Sequence, residues 1–164
     1  MSFLNCSLEI VDEAVLNKEL VVSVVQHICS SGEAEGAILI FVAGLKEIRD
    51  LCEALKNAER TGGFKTQDGA QVVVHIYPLH SSLSSAEQSR IFNTYPEGQN
   101  KVTRKIVVST NIAETSVTIP DVVFVIDTCR VKENRFDAAS QLSVLEEVYV
   151  NKANELQRRG IVLS

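Results

Sequence analysis

The stretch of sequence that decides the fold is residues 104–127, which read RKIVVSTNIAETSVTIPDVVFVID. Two short, mostly apolar runs within it, 106–109 and 122–126, are typical of strands that are covered on both faces. The segment between them is dense in hydroxyl, amide and carboxylate side chains. The stretch therefore predicts a buried strand, a polar connection and a second buried strand.

Helical and strand patterns alternate along the rest of the chain. Apolar residues repeat at helical spacing over 17–30 and again over 45–55, and short apolar runs at 37–42 and 72–76 predict strands. Ser84 and Glu87 have the spacing of a capping box that opens a helix through Phe92, and 144–150 is a candidate fifth strand. Because strands alternate with helices, we predict an α/β fold, a three-layer parallel sheet with helices on both faces.

Polar residues that follow the apolar runs form the candidate site. Ligands of open parallel sheets bind beyond the carboxyl ends of the strands, which here selects 43–44, 78–82, 110–116 and 127–128. The third of these segments suits phosphate or ribose recognition better than acyl transfer, since the chain has no GxSxG motif. The alternative is that these residues only form turns and cap backbone groups, and spacing alone does not separate the two interpretations.

The composition excludes several classes of protein. The 164 residues are 45% apolar and 23% charged, which suits one globular domain, and no stretch reaches the roughly 20 apolar residues of a membrane helix. A net charge of -5 argues against nucleic-acid binding by bulk electrostatics. No CxxC pair is present, and the three histidines lack metal-ligand spacing. We therefore expect no metal site, no membrane partner and an intracellular location, cytoplasmic or nuclear.

Four segments that resemble known sequence motifs follow one another along the chain. They are ILIFVAGLKEI (38–48), LHSSLSSAEQSRIF (79–92), the stretch 104–127 and ELQRRG (155–160). Together they resemble the second, C-terminal RecA-like domain of a DEAH-box ATP-dependent RNA helicase, a P-loop NTPase-like fold. The run STNIAETSVTI is very specific to that family, and TIPDVVFVIDT with the residues after it most resembles the branch that contains the translation-initiation DEAH helicase.

The resemblance implies a domain organisation. Residues 1–15 would be an N-terminal lead-in, 16–160 the helicase C-terminal domain truncated at its sixth motif, and 161–164 an unrelated or divergent tail. Helicases of this family bind ATP between two RecA-like domains and thread single-stranded RNA across both. The implied partners are therefore the RNA backbone and the first RecA-like domain of the same helicase.

The resemblance also assigns RNA contacts to individual residues. Gly44 would lie in the RNA-facing loop of the fourth motif, while Thr110 and Asn111 of the fifth motif would meet RNA phosphates. Thr118 completes this set, although Pro120 stands where several relatives place an aspartate for a ribose hydroxyl. Short polar side chains and loop N–H groups can grip a nucleic-acid backbone without reading bases.

One wall of the ATP site is implied in the same way. The residues are Phe92, Glu114, Thr115, Ser116, Asp127, Gln157 and Arg158. Phe92 would stack on adenine, with closure of a helix over the core as its alternative. Asp127 has the alternative of a cap or an ion pair with Arg130 or Arg135. ATP with Mg²⁺ would bind only when a first RecA-like domain is joined.

The sixth motif of the family reads QRxGRxGR, and the match stops at Gly160. The later arginines of that motif stabilise charge in phosphoryl transfer, and the residues that follow here are Ile161-Val162-Leu163-Ser164. No GxxxxGK[ST] loop is present either, so the catalytic set is incomplete and the chain alone should not hydrolyse ATP.

Three functional interpretations follow from these residues. The first is half of an ATP-dependent RNA helicase, inactive in isolation. The second is a non-enzymatic module that binds RNA or a protein partner and competes with a full helicase. The third and weaker one is another kind of nucleotide-binding α/β domain, disfavoured because no glycine-rich phosphate loop appears.

Overall fold

The computed structural model describes residues 16–32, 34–92, 102–115, 119–137 and 142–161. The elements, in chain order, are α1 (Lys18–Ser31), β1 (Ala37–Phe41), α2 (Leu45–Arg60), β2 (Val72–Leu79), α3 (Ser85–Phe92), β3 (Val102–Ser109), α4 (Ile112–Thr115), β4 (Val122–Asp127), β5 (Arg130–Asp137), β6 (Leu142–Tyr149) and α5 (Lys152–Gly160).

Strands β1 to β4 form one parallel sheet. Their order is β2-β3-β1-β4, and all three neighbouring pairs are parallel, as the alternating pattern predicts. The last residues of the strands pair with one another: Leu79 with Ser109, Ser109 with Phe41, and Phe41 with Asp127. The four strands therefore end in one row, and the segments that follow them leave the sheet at the same edge.

Apolar residues cover both faces of this sheet. Ile38 and Ile40 belong to the cluster that packs against α1 and α2, whereas Leu39 and Phe41 belong to the cluster that includes Ile91 of α3. Successive strand residues point to opposite faces, so the continuous apolar run of β1 serves both layers. The predicted three-layer arrangement is confirmed.

Side-chain caps fix the starts of two helices. The Oδ1 atom of Asn17 accepts a hydrogen bond from the Leu20 backbone N–H at 2.9 Å, which places the start of α1 one residue after Asn17. The capping box predicted before α3 is also present: Glu87 N–H donates to Ser84 Oγ at 3.3 Å, and Ser84 N–H donates to Glu87 Oε2 at 2.9 Å. The Ser84 hydroxyl also donates to Glu87 Oε2 at 2.7 Å, and this bond, followed by the one from the Ser84 N–H, holds the pKa of Glu87 below its usual value.

Strand β2 is longer than its apolar run suggests. It continues through Pro78 and Leu79, which the sequence pattern places in the following loop. Proline lacks an N–H group and is tolerated here because β2 is at the edge of the sheet. The polar segment after β2 therefore begins at His80.

The candidate fifth strand at 144–150 is a strand, but it does not belong to the parallel sheet. These residues lie mostly in β6, which pairs antiparallel with β5 in a separate two-stranded sheet. Val144, Leu145 and Tyr149 are exposed, so the apolar residues of β6 do not form part of the described core. A strand in an exposed hairpin needs no layer on both faces, which explains why its pattern is less apolar than those of β1 and β3.

Gly36 allows β1 to begin close to β4. It has a φ of +143°, and a Cβ atom at this position would lie 2.7 Å from the backbone oxygen of Asp121. The next residue, Ala37, donates its N–H to that same oxygen at 2.6 Å. A side chain at position 36 would therefore collide with the backbone that starts the neighbouring strand.

Candidate functional site

The carboxyl edge of the sheet brings the predicted fourth-motif and fifth-motif segments side by side. Val42 N–H donates to the Ser109 carbonyl at 2.9 Å, and Thr110 N–H donates to the Leu79 carbonyl at 3.3 Å. These bonds continue the sheet for one residue beyond the strands. Gly44 and Thr110 consequently follow neighbouring strands at the same edge.

Thr110 and Asn111 form the exposed part of the fifth-motif segment. Thr110 is half-buried and Asn111 is exposed, and their carbonyls accept from the N–H groups of Ala113 and Glu114 at 3.4 and 3.0 Å. These bonds turn the backbone into the short helix α4. Within the described part of the chain, neither the Thr110 hydroxyl nor the Asn111 amide has a hydrogen-bond partner, so both can bind a ligand.

Gly44 is more enclosed than the sequence suggests. The residue is buried, and a Cβ atom on it would lie 2.9 Å from Nζ of Lys132 and 3.0 Å from Oε2 of Glu47. The Lys132 amino group pairs with the Glu47 carboxylate above it, at 3.1 Å from Oε1. Both atoms are at the ends of flexible side chains, so a small side chain at position 44 would displace this ion pair, and Lys132 is the side chain presented above the fourth-motif loop.

Arg158 contacts two other residues predicted for the ATP-site wall, Glu114 and Asp127. Its Nε donates to Oε1 of Glu114 at 2.7 Å, its Nη1 donates to Oδ1 of Asp127 at 2.6 Å, and its guanidinium lies 4.4 Å from the centre of the Phe41 ring. The arginine is 1% exposed. Arg158 thus lies inside the domain between two carboxylates and an aromatic ring.

These contacts bear on the alternatives for Asp127, among which the Arg135 side chain lies outside the described residues. Its described ion-pair partner is Arg158, and its Oδ1 also accepts from the Cys129 backbone N–H at 2.7 Å, which makes it a cap as well. Arg130 instead approaches Glu147 at 3.9 Å and lies 4.3 Å from the Tyr149 ring centre.

Other predicted wall residues occupy different environments. The Gln157 side-chain amide donates to the backbone oxygen of Glu114 at 3.0 Å, which places the sixth-motif and fifth-motif segments in direct contact. Phe92 is 36% exposed at the end of α3, whereas its neighbour Ile91 is 1% exposed and makes the core contact. Thr115 ends α4, and Ser116 and Thr118 lie outside the described residues.

Comparison with known proteins identifies the family. Residues 19–160 match the family described as the helicase conserved C-terminal domain. This chain belongs to that family. The predicted resemblance to the second RecA-like domain of DEAH-box RNA helicases is confirmed.

Several relatives share most of the length of this helicase C-terminal domain. The putative ATP-dependent RNA helicase DHX57 of Homo sapiens is 42% identical over 156 residues, a match that covers 94% of this chain and 11% of DHX57. The ATP-dependent RNA helicase DHX29 of Homo sapiens is 42% identical over 148 residues, covering 88% of this chain and 10% of DHX29. The chain therefore spans about a tenth of the length of these curated relatives.

A solved structure supports the same fold. The crystal structure of the E. coli DExH-box NTPase HrpB superposes on this domain with a TM-score of 0.71 and 28% sequence identity, over 90% of this chain and 16% of that one. The mostly parallel sheet with flanking helices is thus the RecA-like fold of a helicase C-terminal domain.

The helicase C-terminal domain also contains a cavity that the sequence does not predict. It has a volume of about 650 Å³ and lies between α1, the start of α2 and the β5–β6 hairpin. Apolar Leu20 and Val24 line one side, and Lys46, Asp127 and Arg130 contribute charge. No single motif signals it, because its walls come from elements that are distant in sequence.

Three further observations concern the described residues of the helicase C-terminal domain. Burial, and then the charge of Asp127, raise the pKa of the Cys129 thiol, which disfavours the thiolate needed for nucleophilic attack. No group of three or more metal-ligating side chains occurs among the residues that the structure describes. Across the same residues, no helix is long and apolar enough to cross a membrane.

Proposed function

We propose that this helicase C-terminal domain supplies half of an ATP-dependent RNA helicase, with contacts to the RNA backbone and one wall of the ATP site. The observation that supports this most is the convergence at one sheet edge of Thr110 and Asn111 with Glu114, which in turn contacts Gln157 and Arg158. An RNA-facing segment and a nucleotide-facing segment are thereby joined within a few residues.

The RNA contact uses short polar groups and one cation. The Thr110 hydroxyl and Asn111 amide can donate to phosphate oxygens, and the amino group of Lys132 above Gly44, although paired with Glu47, is partly exposed and adds a further donor. None of these groups is an arginine pair of the kind that reads base edges, so we expect binding that does not depend on the RNA sequence. Because the net charge is -5, we expect weak binding, with a dissociation constant around 10⁻⁴ M.

An NMR titration of the chain with a uridine oligomer tests the RNA contact. We expect the amides of Thr110 and Asn111 to shift and those of Gly36 and Asp121, at the opposite edge, to stay unchanged. Thr110→Val removes one hydroxyl at nearly constant shape and should weaken binding. The matched control Thr103→Val removes an exposed hydroxyl near the start of β3, the strand that Thr110 follows, and should leave RNA binding unchanged. Shifts confined to the opposite edge would contradict the assignment.

The ATP wall depends on Phe92 and Gln157 rather than on Arg158. An exposed aromatic ring at the end of α3 can stack on adenine, and the exposed Gln157 can face the nucleotide. Arg158 does not fit a phosphate contact, because its guanidinium is already bound to two carboxylates inside the domain. Mg²⁺ and ATP would be held only with a first RecA-like domain in place.

A rebuilt two-domain helicase, with the sixth motif completed, tests this wall. Phe92→Ala should raise the KM for ATP about tenfold, because a lost stacking contact costs about 1–3 kcal/mol per base. Val102→Ala, which shortens an exposed apolar residue on β3, is the control and should leave KM unchanged. An equal rise in both variants would point to a general loss of folding.

The competing interpretation is a non-enzymatic module that binds RNA or a protein partner. The two interpretations predict different results for the rebuilt two-domain helicase. If the domain is only a binding module, adding it would not give RNA-stimulated ATP hydrolysis. The division into 1–15, 16–160 and 161–164 and the intracellular location stay predictions.

A further inference from the structure

Helix α5 is attached to the domain by a charged side chain. Arg158 is the buried one among its described side chains, while Leu156 is 64% exposed and the others are exposed or half-buried. A helix usually attaches through an apolar stripe. Here the apolar contact at this end comes from Ile161, just beyond the helix, which packs against the core cluster of Leu39 and Phe41.

The guanidinium of Arg158 connects α5 to two segments that are distant in sequence. Glu114 lies in α4, three residues after Asn111, and Asp127 ends β4. The Phe41 ring of β1 covers the guanidinium at 4.4 Å. One cation therefore serves two carboxylates, one from α4 and one from the end of β4, and the Oδ2 atom of Asp127 is buried with no hydrogen-bond partner among the described residues.

We propose that Arg158 is a positioning residue that couples the RNA-facing segment at Thr110 and Asn111 to α5, so that RNA bound at the segment restrains α5. The RNA part of this inference rests on the proposed function. Arg158 acts through Glu114 and not on the nucleotide, since its side chain is enclosed on both sides. Gln157, its neighbour, is the α5 side chain that then faces the nucleotide in a fixed position.

The chemistry explains why an arginine is needed. Its planar fork presents several N–H donors in fixed directions, so two carboxylates can be bound at once, whereas a lysine offers a single point charge. Removing the guanidinium would leave two enclosed carboxylates without a counter-charge, and α5 would lose its attachment.

Amide hydrogen exchange on the intact chain without RNA tests the coupling. Arg158→Met removes the charge at similar length, and Glu114→Gln removes a charge from the RNA-facing segment. Each should speed exchange of the α5 amides by about tenfold or more, with the double variant no faster than Arg158→Met. Arg60→Met, at the exposed end of α2, should leave α5 unchanged.

Two results in this experiment would overturn the inference: unchanged α5 exchange in Arg158→Met, or fully additive effects in the double variant. If the methionine variant does not fold, Arg158→Lys provides a second test of the attachment. That variant keeps the charge without the fork and should show a smaller acceleration confined to α5, whereas normal α5 exchange in it would overturn the requirement for the fork.

Adding a uridine oligomer gives a readout that packing alone would not move. In the wild-type chain, RNA should shift the amides of Thr110 and Asn111 and also slow exchange in α5. In Arg158→Met the two amides should still shift while α5 no longer responds. A response of α5 that survives in Arg158→Met, or one missing from the wild type despite the shifts, overturns the coupling. If the amides of Thr110 and Asn111 do not shift in the wild type, the proposed RNA contact is wrong. The hydrogen exchange measured without RNA then still tests whether Arg158 attaches α5.

Discussion

Lys132 of β5 and Glu47 of α2 form an ion pair, with Nζ 3.1 Å from Oε1, directly above Gly44. The pair links the β5–β6 hairpin to the first turn of α2. It lies beside the edge where the strands end, so the hairpin contributes a cation to a loop whose own residues are small and uncharged. The fourth-motif loop therefore cannot be understood from residues 43–44 alone.

Replacing this cation should affect RNA binding more than folding. Lys132→Met should lower the free energy of unfolding by no more than about 1 kcal/mol, because the two side chains are 29% and 19% exposed. It should also weaken RNA binding at low salt and reduce its salt dependence. Urea unfolding and fluorescence anisotropy at two salt concentrations measure the two effects. Equal weakening in Lys65→Met, an exposed lysine in the loop after α2, would contradict a specific role.

Two glycines with positive φ should respond very differently to alanine. Gly36→Ala places a methyl group 2.7 Å from a backbone oxygen and should cost roughly 3 kcal/mol or more of unfolding free energy. Gly69 has a φ of +86° but nothing within 4 Å of its Cβ position, so Gly69→Ala should cost only about 1–2 kcal/mol. Urea denaturation of both variants measures the difference, and similar losses would mean that the collision with Asp121 is relieved.

Removing the buried guanidinium should be among the more damaging single changes. Arg158→Met leaves Glu114 and Asp127 without their cation and should lower the free energy of unfolding by about 3–5 kcal/mol. Arg60→Met, on an exposed helix end, should change it by about 0.5 kcal/mol or less. Thermal and urea unfolding of the two variants provide the test, and a similar stability of both would show that the buried pair is replaceable.

Stability should fall in alkaline solution because of Cys52. Burial raises the pKa of this thiol from 9.0 to about 11, with the nearby charge of Lys56 opposing the shift. The folded state then holds the proton more tightly than the unfolded state does. Its contribution is fully present below pH 9 and is lost as the pH rises through 11.

Urea unfolding between pH 7 and pH 11, in the wild type and in Cys52→Ala, isolates this contribution. The alanine variant removes the thiol while retaining the other groups that titrate in this range. The free-energy difference between the two proteins should shrink as the pH rises. A constant difference would mean that the thiol has the same pKa in the folded and unfolded states.

The isolated chain should show no RNA-stimulated ATP hydrolysis. The sequence contains neither a GxxxxGK[ST] loop nor the later arginines of the sixth motif. Phosphate release with poly(U), compared with a mock purification from the same host, measures this. Turnover that copurifies with the chain would contradict the interpretation as half of a helicase.

Much of the fold could be predicted from the sequence because the buried strands are continuous apolar runs. The runs at 37–42, 72–76, 106–109 and 122–126 all correspond to strands of the parallel sheet. The hairpin could not be predicted in the same way: β5 reads RVKENRFD, and its charged residues resemble a loop as much as an exposed strand.

The candidate site was only partly predictable. The register that aligns Ser109, Phe41 and Asp127 follows from parallel pairing, so the meeting of the predicted segments could be expected. The burial of Arg158 could not, because charged residues are almost never fully buried unless paired, and its partners lie 44 and 31 residues earlier in the chain. The enclosure of Gly44 likewise depends on Lys132, in a hairpin that the sequence did not reveal.

The residue Phe41 supports the hairpin and α5 by different chemistry. Its backbone oxygen accepts from both the N–H and the hydroxyl of Thr128, at 3.2 and 2.8 Å, and so directs the chain that leads into β5, whereas its ring covers the guanidinium of Arg158. Every amino acid carries the backbone oxygen, but few carry the ring. A substitution at position 41 can therefore weaken the attachment of α5 while the hydrogen bonds that direct the hairpin remain.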